Sequence, residues 1–130
     1  MRKNFWLIII IIYCSGIFIF THSPVSTGEH TLSIWESLFS VSGSTLETIN
    51  FISRKITHFV TFGLLGWIFL CYFGKNHYFY AWLAATIYGG LDEWHQTFID
   101  GRMGTVMDAC LNSLGAFTVL LLVYLFNGRK

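Results

Sequence analysis

Lys55 and His58 stand three residues apart, and Asp92, His95 and Gln96 recur at spacings of three and four. On a helix such spacings put side chains on one face. Asp108 and Asn112 are four apart, with Gly115 extending their face, while Glu93 falls about a quarter-turn from Asp92. Between these groups the short stretch Asp100-Gly101-Arg102-Met103-Gly104 carries Arg102. Two chemistries suit this set. Lys55, Arg102 and a protonated His58 can hold a phosphate or diphosphate, arginine through paired charge-assisted hydrogen bonds, with Asp108 and Asn112 orienting them. Alternatively Asp92, Glu93, His95 and His58 can serve as general acid and base, since partial burial moves carboxylate and imidazole pKa values towards neutrality. Arg102 would then stabilise an anionic transition state. His58, Asp92, His95 and Asp108 are also metal-ligand types, but no His-x-x-x-His pair or thiolate set accompanies them. No metal or cofactor is expected, and neither a nucleophile elbow nor a nucleotide-binding loop is present.

The elements that must position these groups are apolar. Of 130 residues, 54% are hydrophobic, 18% aromatic and 12% charged, against roughly 25% charged in a soluble domain. The net charge of +1 implies no nucleic-acid partner. A spanning helix needs about 20 mostly apolar residues, and four blocks approach that length, at about 5–21, 56–73, 78–97 and 106–126. Backbone groups must be satisfied internally in hydrocarbon, so each block is expected to be a helix. The expected fold is all-α: an integral membrane four-helix bundle formed as a single domain over residues 1–130. Cys14, Cys71 and Cys110 fall inside the blocks, without metal spacing, and read as inert core residues. Arg2 and Lys3 before an apolar run also describe a signal peptide, but no small-x-small cleavage site follows, so a retained helix is expected.

Basic residues orient the spans. Arg2, Lys3, Lys75, Arg129 and Lys130 fall on one side, and Arg54, Lys55 and Arg102 on the other. The residues flanking the first helix usually dominate, so both termini are expected in the cytoplasm. All seven acidic residues then lie outside or at outer helix ends. The inner loop, Gly74 to His77, is a tight turn. The first outer segment, His22 to Arg54, contains Ser33-x-x-Glu36 and Ser44-x-x-Glu47, both in the form of a capping box. Leu32, Trp35 and Phe39 after the first have helical spacing and suggest a short interfacial helix. Leu46, Ile49 and Ile52 lead from the second box towards the second span. Asp92 and Asn112, each about six residues from a helix end, are each roughly 9 Å deep, so antiparallel packing puts them at one level.

Each residue also has a plain structural reading. Lys55 and Arg102 can snorkel to the interface. Asp108 completes Thr105-x-x-Asp108, a capping pair at the positive end of a helix. Asn112 and Gly115 suit helix packing. Asp92, His95 and His58 can be an interhelical network. His22, His30 and His77 receive no role. The recurrence of ionisable groups at one level favours a site, because such groups within spans usually face a protein interior or a wet cavity.

Three stretches carry a resemblance: Lys55-x-x-His58-Phe59-x-x-Phe62-Gly63; Tyr88-x-x-x-Asp92-Glu93-x-His95-Gln96-x-Phe98; and Gly101-Arg102-x-Gly104-x-x-x-Asp108-x-x-x-Asn112-x-x-Gly115. In combination they resemble the VanZ-like family of bacterial membrane proteins, along the whole chain. Thr21-His22-Ser23-Pro24 is similar to the serine-containing end of that family's first helix. The resemblance implies a multi-pass plasma-membrane protein associated with low-level tolerance of teicoplanin, a glycopeptide with a lipid tail. Three functional classes follow. The chain can bind a lipid-linked wall precursor or a lipoglycopeptide arriving from the membrane lipids, through Lys55, His58, Asp92, Glu93, His95, Gln96, Arg102, Asp108 and Asn112. It can be an intramembrane enzyme, or a structural protein acting through a partner.

Overall fold

In the computed structural model, described for residues 2–39 and 43–127, all regular structure is helical. Helix α1 runs Arg2–His22 and α2 Gly28–Phe39, with a single 3-10 turn, Pro24–Ser26, between them. Then come α3 (Ser44–Phe73), α4 (Tyr78–Gln96) and α5 (Val106–Asn127). Arg129 and Lys130, part of the charge count that set the expected orientation, lie outside the described residues.

Three helices among the described residues are long and apolar enough to cross a membrane: Lys3–His22, Ser44–Phe73 and Val106–Asn127. The block expected to supply a further crossing is α4. It has 19 residues, but Asp92, Glu93, His95 and Gln96 in its last two turns keep it out of that set. Aliphatic side chains point outward along these helices, with Ile12 66% and Ile19 67% exposed. Hydrocarbon surrounds such a surface without the penalty water would impose, because lipid tails are as apolar as the side chains.

Two helix starts differ from the capping boxes read in the sequence. Ser33 is not a cap: α2 begins at Gly28, and Ser33 Oγ, inside the helix, donates to the His30 carbonyl at 2.7 Å. The start is set upstream by Thr27, whose Oγ1 accepts from His30 N at 3.4 Å and whose carbonyl accepts from Thr31 N. Likewise Ser44 occupies the first helical position, and the preceding Gly43 caps α3 through its backbone carbonyl alone. From there α3 continues unbroken for 30 residues, so the second apolar block and the stretch before it form one helix about 45 Å long.

The reversal after α1 is built from hydroxyls. Ser26 Oγ donates to the Phe20 carbonyl at 2.6 Å, which also accepts from Ser23 N at the helix end, and Ser23 Oγ accepts from Val25 N. Asn50 then ties α2 to α3, its Nδ2 donating to the Gly28 carbonyl at 3.0 Å. At the opposite end Gly74, with φ +106°, turns the chain from α3 into α4.

Helix α3 packs against α5, α4 and α1. Its buried residues Phe62 and Leu65 meet Ile17 of α1, Ala85 of α4 and Ala116 of α5, while Leu70 meets Ala81 and Leu120. Pairing Leu70 with Ala81 and Phe62 with Ala85 makes α3 and α4 antiparallel. Small residues allow α3 and α5 to approach closely. A Cβ on Gly115 would stand 2.2 Å from the Phe59 carbonyl oxygen, and one on Gly66 3.2 Å from the Ala116 Cβ. Of the cysteines expected in the core, Cys14 is half-buried and packs against the cluster of Phe62 and Leu65, Cys71 is half-buried, and Cys110 is exposed, contrary to the expectation.

Gly115→Ala forces α5 off the backbone of α3, a strain of about 1–3 kcal/mol. It is expected to lower the thermal unfolding midpoint in detergent. Gly90→Ala, whose added carbon meets nothing within 4 Å, is expected to leave that midpoint unchanged or slightly raised.

Candidate functional site

Helices α3, α4 and α5 bring most of the predicted polar residues together at the end where the 3-10 turn and α2 lie. Asp92, Glu93 and Gln96 of α4 are 3%, 4% and 4% exposed, and Asn112 of α5 is wholly buried. Residues 92, 96 and 93 cover an arc of about 100° at roughly 100° per residue, with Gln96 near its middle. The inward face therefore includes Glu93 and leaves His95 to one side. This differs from the face expected from spacing, which grouped His95 with Asp92 and Gln96 and set Glu93 apart. The His95 ring instead stacks near Phe18 and His22 of α1, at centroid distances of 4.4 and 5.6 Å, and its buried Nδ1 has no hydrogen-bond partner.

Gln96 joins the charges. Its Nε2 donates to Asp92 Oδ2 at 2.8 Å and lies 3.4 Å from Glu93 Oε1, while its Oε1 accepts from Arg102 at 2.7 Å. The amide dipole thus points its positive end at two carboxylates and its negative end at the guanidinium. Arg102 is 8% exposed and spends its other terminal nitrogen on the Ser26 carbonyl at 2.7 Å, leaving Nε without a partner. Burial pulls the Arg102 pKa below its usual value, and the Arg54 charge adds to this, while Asp92 and Glu93 oppose it. An arginine so placed keeps its charge. Gly101, at φ +76°, makes the turn that delivers Arg102 to these partners.

Glu93 connects α4 to α5. Its Oε2 accepts from the Thr105 backbone N at 3.3 Å and its Oε1 from Asn112 Nδ2 at 3.3 Å. Thr105 is the cap expected from Thr105-x-x-Asp108: its Oγ1 accepts from Asp108 N and donates to Asp108 Oδ2, each at 3.0 Å. Glu93, from a neighbouring helix, supplies the acceptor for the cap's own N–H. Asp108 also pairs with Lys55, whose amine lies over the Phe51 ring. Having given Nδ2 to Glu93, Asn112 offers Oδ1 to His58 Nδ1 at 3.3 Å, so that nitrogen bears the hydrogen. Glu93 Oε1 lies 3.5 Å from the same nitrogen.

Three residues here were not among the predicted site residues, although Thr21 opens the Thr21-His22-Ser23-Pro24 stretch. Thr21 of α1 is buried and donates to Asp92 Oδ1 at 2.8 Å, and Ser26 supplies the carbonyl for Arg102. Arg54 lines a cavity of about 160 Å³ between α1, the 3-10 turn, α2 and α3, together with Thr21, Ser26, Ser53, Thr57 and His58. Hydroxyl residues are too common to mark a site by themselves, and Arg54 is hidden in sequence beside Lys55. His58 faces both the cavity and the buried network, so the two are continuous. Among the described residues no group of three or more His, Cys, Asp or Glu is arranged to hold a metal ion.

Residues 5–127 match the family model described as VanZ/LLP1. No curated protein and no solved structure matches the chain.

Gln96→Leu keeps the volume and removes the amide between guanidinium and carboxylates. Leaving charged groups without hydrogen bonds costs about 2–3 kcal/mol, so a marked fall in the detergent unfolding midpoint is expected. Lys55→Gln breaks a partly exposed pair worth about 0–1 kcal/mol and is expected to shift the midpoint little. Equal midpoints for both variants would contradict the energetic ranking.

Proposed function

Because the chain belongs to the VanZ/LLP1 family and holds, among its described residues, three helices long and apolar enough to cross a bilayer, we propose that it is a multi-pass plasma-membrane protein that tempers susceptibility to teicoplanin-type lipoglycopeptides. It does so by binding a lipid-linked wall precursor or the lipid-tailed antibiotic at its outer polar site. In this reading α1, α3, α4 and α5 form one four-pass domain, with both termini in the cytoplasm and α2 lying on the outer interface. Helix α4 crosses because its neighbours cover its carboxylates, which removes the cost of exposing them to lipid.

One observation carries the binding reading: the buried network opens onto a cavity, whose wall includes its members His58, Thr21 and Ser26. Asp92, Glu93, Gln96, Arg102 and Asn112 are largely occupied by one another, so they support the site from behind. Ligand contact falls to the residues on the cavity side. The mutual satisfaction of the network also favours a second reading, in which the cluster only locks the helices together.

Susceptibility to teicoplanin and vancomycin in a sensitive Gram-positive host separates the two. Strains carrying wild type, His58→Gln or an empty vector are compared, with membrane levels checked by blot. Wild type is expected to raise teicoplanin tolerance more than vancomycin tolerance, and His58→Gln to lose that gain at unchanged abundance. A His58→Gln variant that loses protein and tolerance together supports the locking role. A well-expressed wild type without effect rejects the antibiotic reading.

A further inference from the structure

The cavity between α1, α2 and α3 contains a charge that nothing in the network uses. Arg54 is half-buried on its wall, and among the described residues it has no hydrogen-bond or ion-pair partner. Its Nη1 lies against the start of α2, where a Cβ on Gly28 would come within 2.7 Å. That start is the positive end of a 12-residue helix. Arg102 stands near enough for the two guanidinium groups to repel. Two arginines and a helix N-terminus therefore raise the positive potential at one place, while Asp92 and Glu93 lie behind the wall, engaged by Thr21 and His58, and Glu29 in the first turn of α2 is exposed.

The walls describe what such a potential would receive. Ser53, Thr57, Thr31 and Thr61 bring hydroxyls to the cavity, while Ile17, Phe20, Trp35 and Phe62 make much of the remaining wall apolar. A volume of about 160 Å³ equals roughly five waters at liquid density. That is room for a headgroup and too little for an acyl chain, which would have to leave along the exposed Phe20 and the half-buried Trp35. Arginine matches phosphate through two parallel N–H···O bonds; Ser53, Thr57 and Thr31 give their hydroxyl hydrogens to backbone carbonyls, which leaves Thr61 as the hydroxyl donor on this wall.

We propose that this cavity is a receptor for a phosphate-bearing anion, with Arg54 as its principal contact and the headgroup of an anionic lipid as its occupant. This deepens the binding reading by naming the chemistry at the cavity. Its test requires no antibiotic, so it can fail while the antibiotic reading survives, and the reverse.

The test is native mass spectrometry of the full chain in detergent, with phosphatidylglycerol or phosphatidylcholine added at equal concentration. Wild type is expected to retain phosphatidylglycerol preferentially, and Arg54→Gln to lose about tenfold of that retention, the scale of a charge-assisted contact. Arg54→Lys is expected to keep part of it. Lys75→Gln removes one exposed charge at the far end of α3 and is expected to change nothing. Thr57→Trp, which fills the cavity without altering charge, is expected to lower retention and serves as the decisive variant if Arg54→Gln does not fold. Inorganic phosphate added as competitor separates the sources. Displacement of the lipid by phosphate at low concentration would overturn a lipid headgroup in favour of a soluble anion. Equal retention by folded wild type, Arg54→Gln and Thr57→Trp would overturn the site, as would an equal loss in Lys75→Gln.

Discussion

Two adjacent carboxylates, Asp92 and Glu93, are buried near the end of α4, and hiding them governs how that end of the molecule is assembled. An ionised group removed from water is costly unless donors surround it. The donors arrive from every side: Thr21 from α1, Gln96 from the next turn of α4, Thr105 N from the start of α5, and Asn112 from within α5. Arg102 balances the charge through the Gln96 amide rather than by direct contact. Helices α1 and α5 are thus each held at a definite height against α4 by a hydrogen bond to one of two side chains. Losing one partner leaves a buried charge unsatisfied, so the network behaves as a unit.

The network can form only because the helices come close. Helix α3 lies nearly in contact with α5 at Gly115 and Gly66, and α4 approaches both at Gly89, where a Cβ would meet Asn112 and Phe62 within 3.3 Å. Without a hydrophobic force between helices in lipid, such packing and interhelical hydrogen bonds are what hold them together. Glycine spacing and polar network are two parts of one device. The glycines set the distance, and the amides and carboxylates set rotation and height.

The opposite is true around the cavity. Between α1, α2 and the first half of α3 the packing opens, and no residue of α2 is buried. There the chain is held by hydroxyl-to-backbone bonds and by the single Asn50 amide. The tightly packed region fixes His58 on one side, and the loosely packed region leaves Arg54 on the other. A rigid support beside an open wall is the arrangement expected where a group enters and leaves.

Much of this was legible in the sequence. The apolar blocks specified helices because backbone groups in hydrocarbon must bond within their own segment. Period 3.6 placed Lys55 and His58 on one face, and antiparallel succession brought Asp92 and Asn112 to one level. The Thr105–Asp108 cap is a local pattern, and local patterns survive folding. What failed was any inference that needed knowledge of neighbours. Spacing alone paired His95 with Asp92 and set Glu93 apart, whereas the inward arc centres on Gln96 and excludes His95. The serine of Ser33-x-x-Glu36 proved internal to a helix that Thr27 had already begun. Ser26 enters through its carbonyl, which carries no side-chain signature, and Arg54 is set apart from Lys55 only by its surroundings. Sequence by itself determined which segments are helices and roughly how far along its helix each polar group stands, because both follow from composition and period. Tertiary structure alone decided which polar groups satisfy one another and which charge is left facing a cavity. Those outcomes depend on helix rotation, which is set by the steric fit of small residues such as Gly89 and Gly115 against helices distant in sequence.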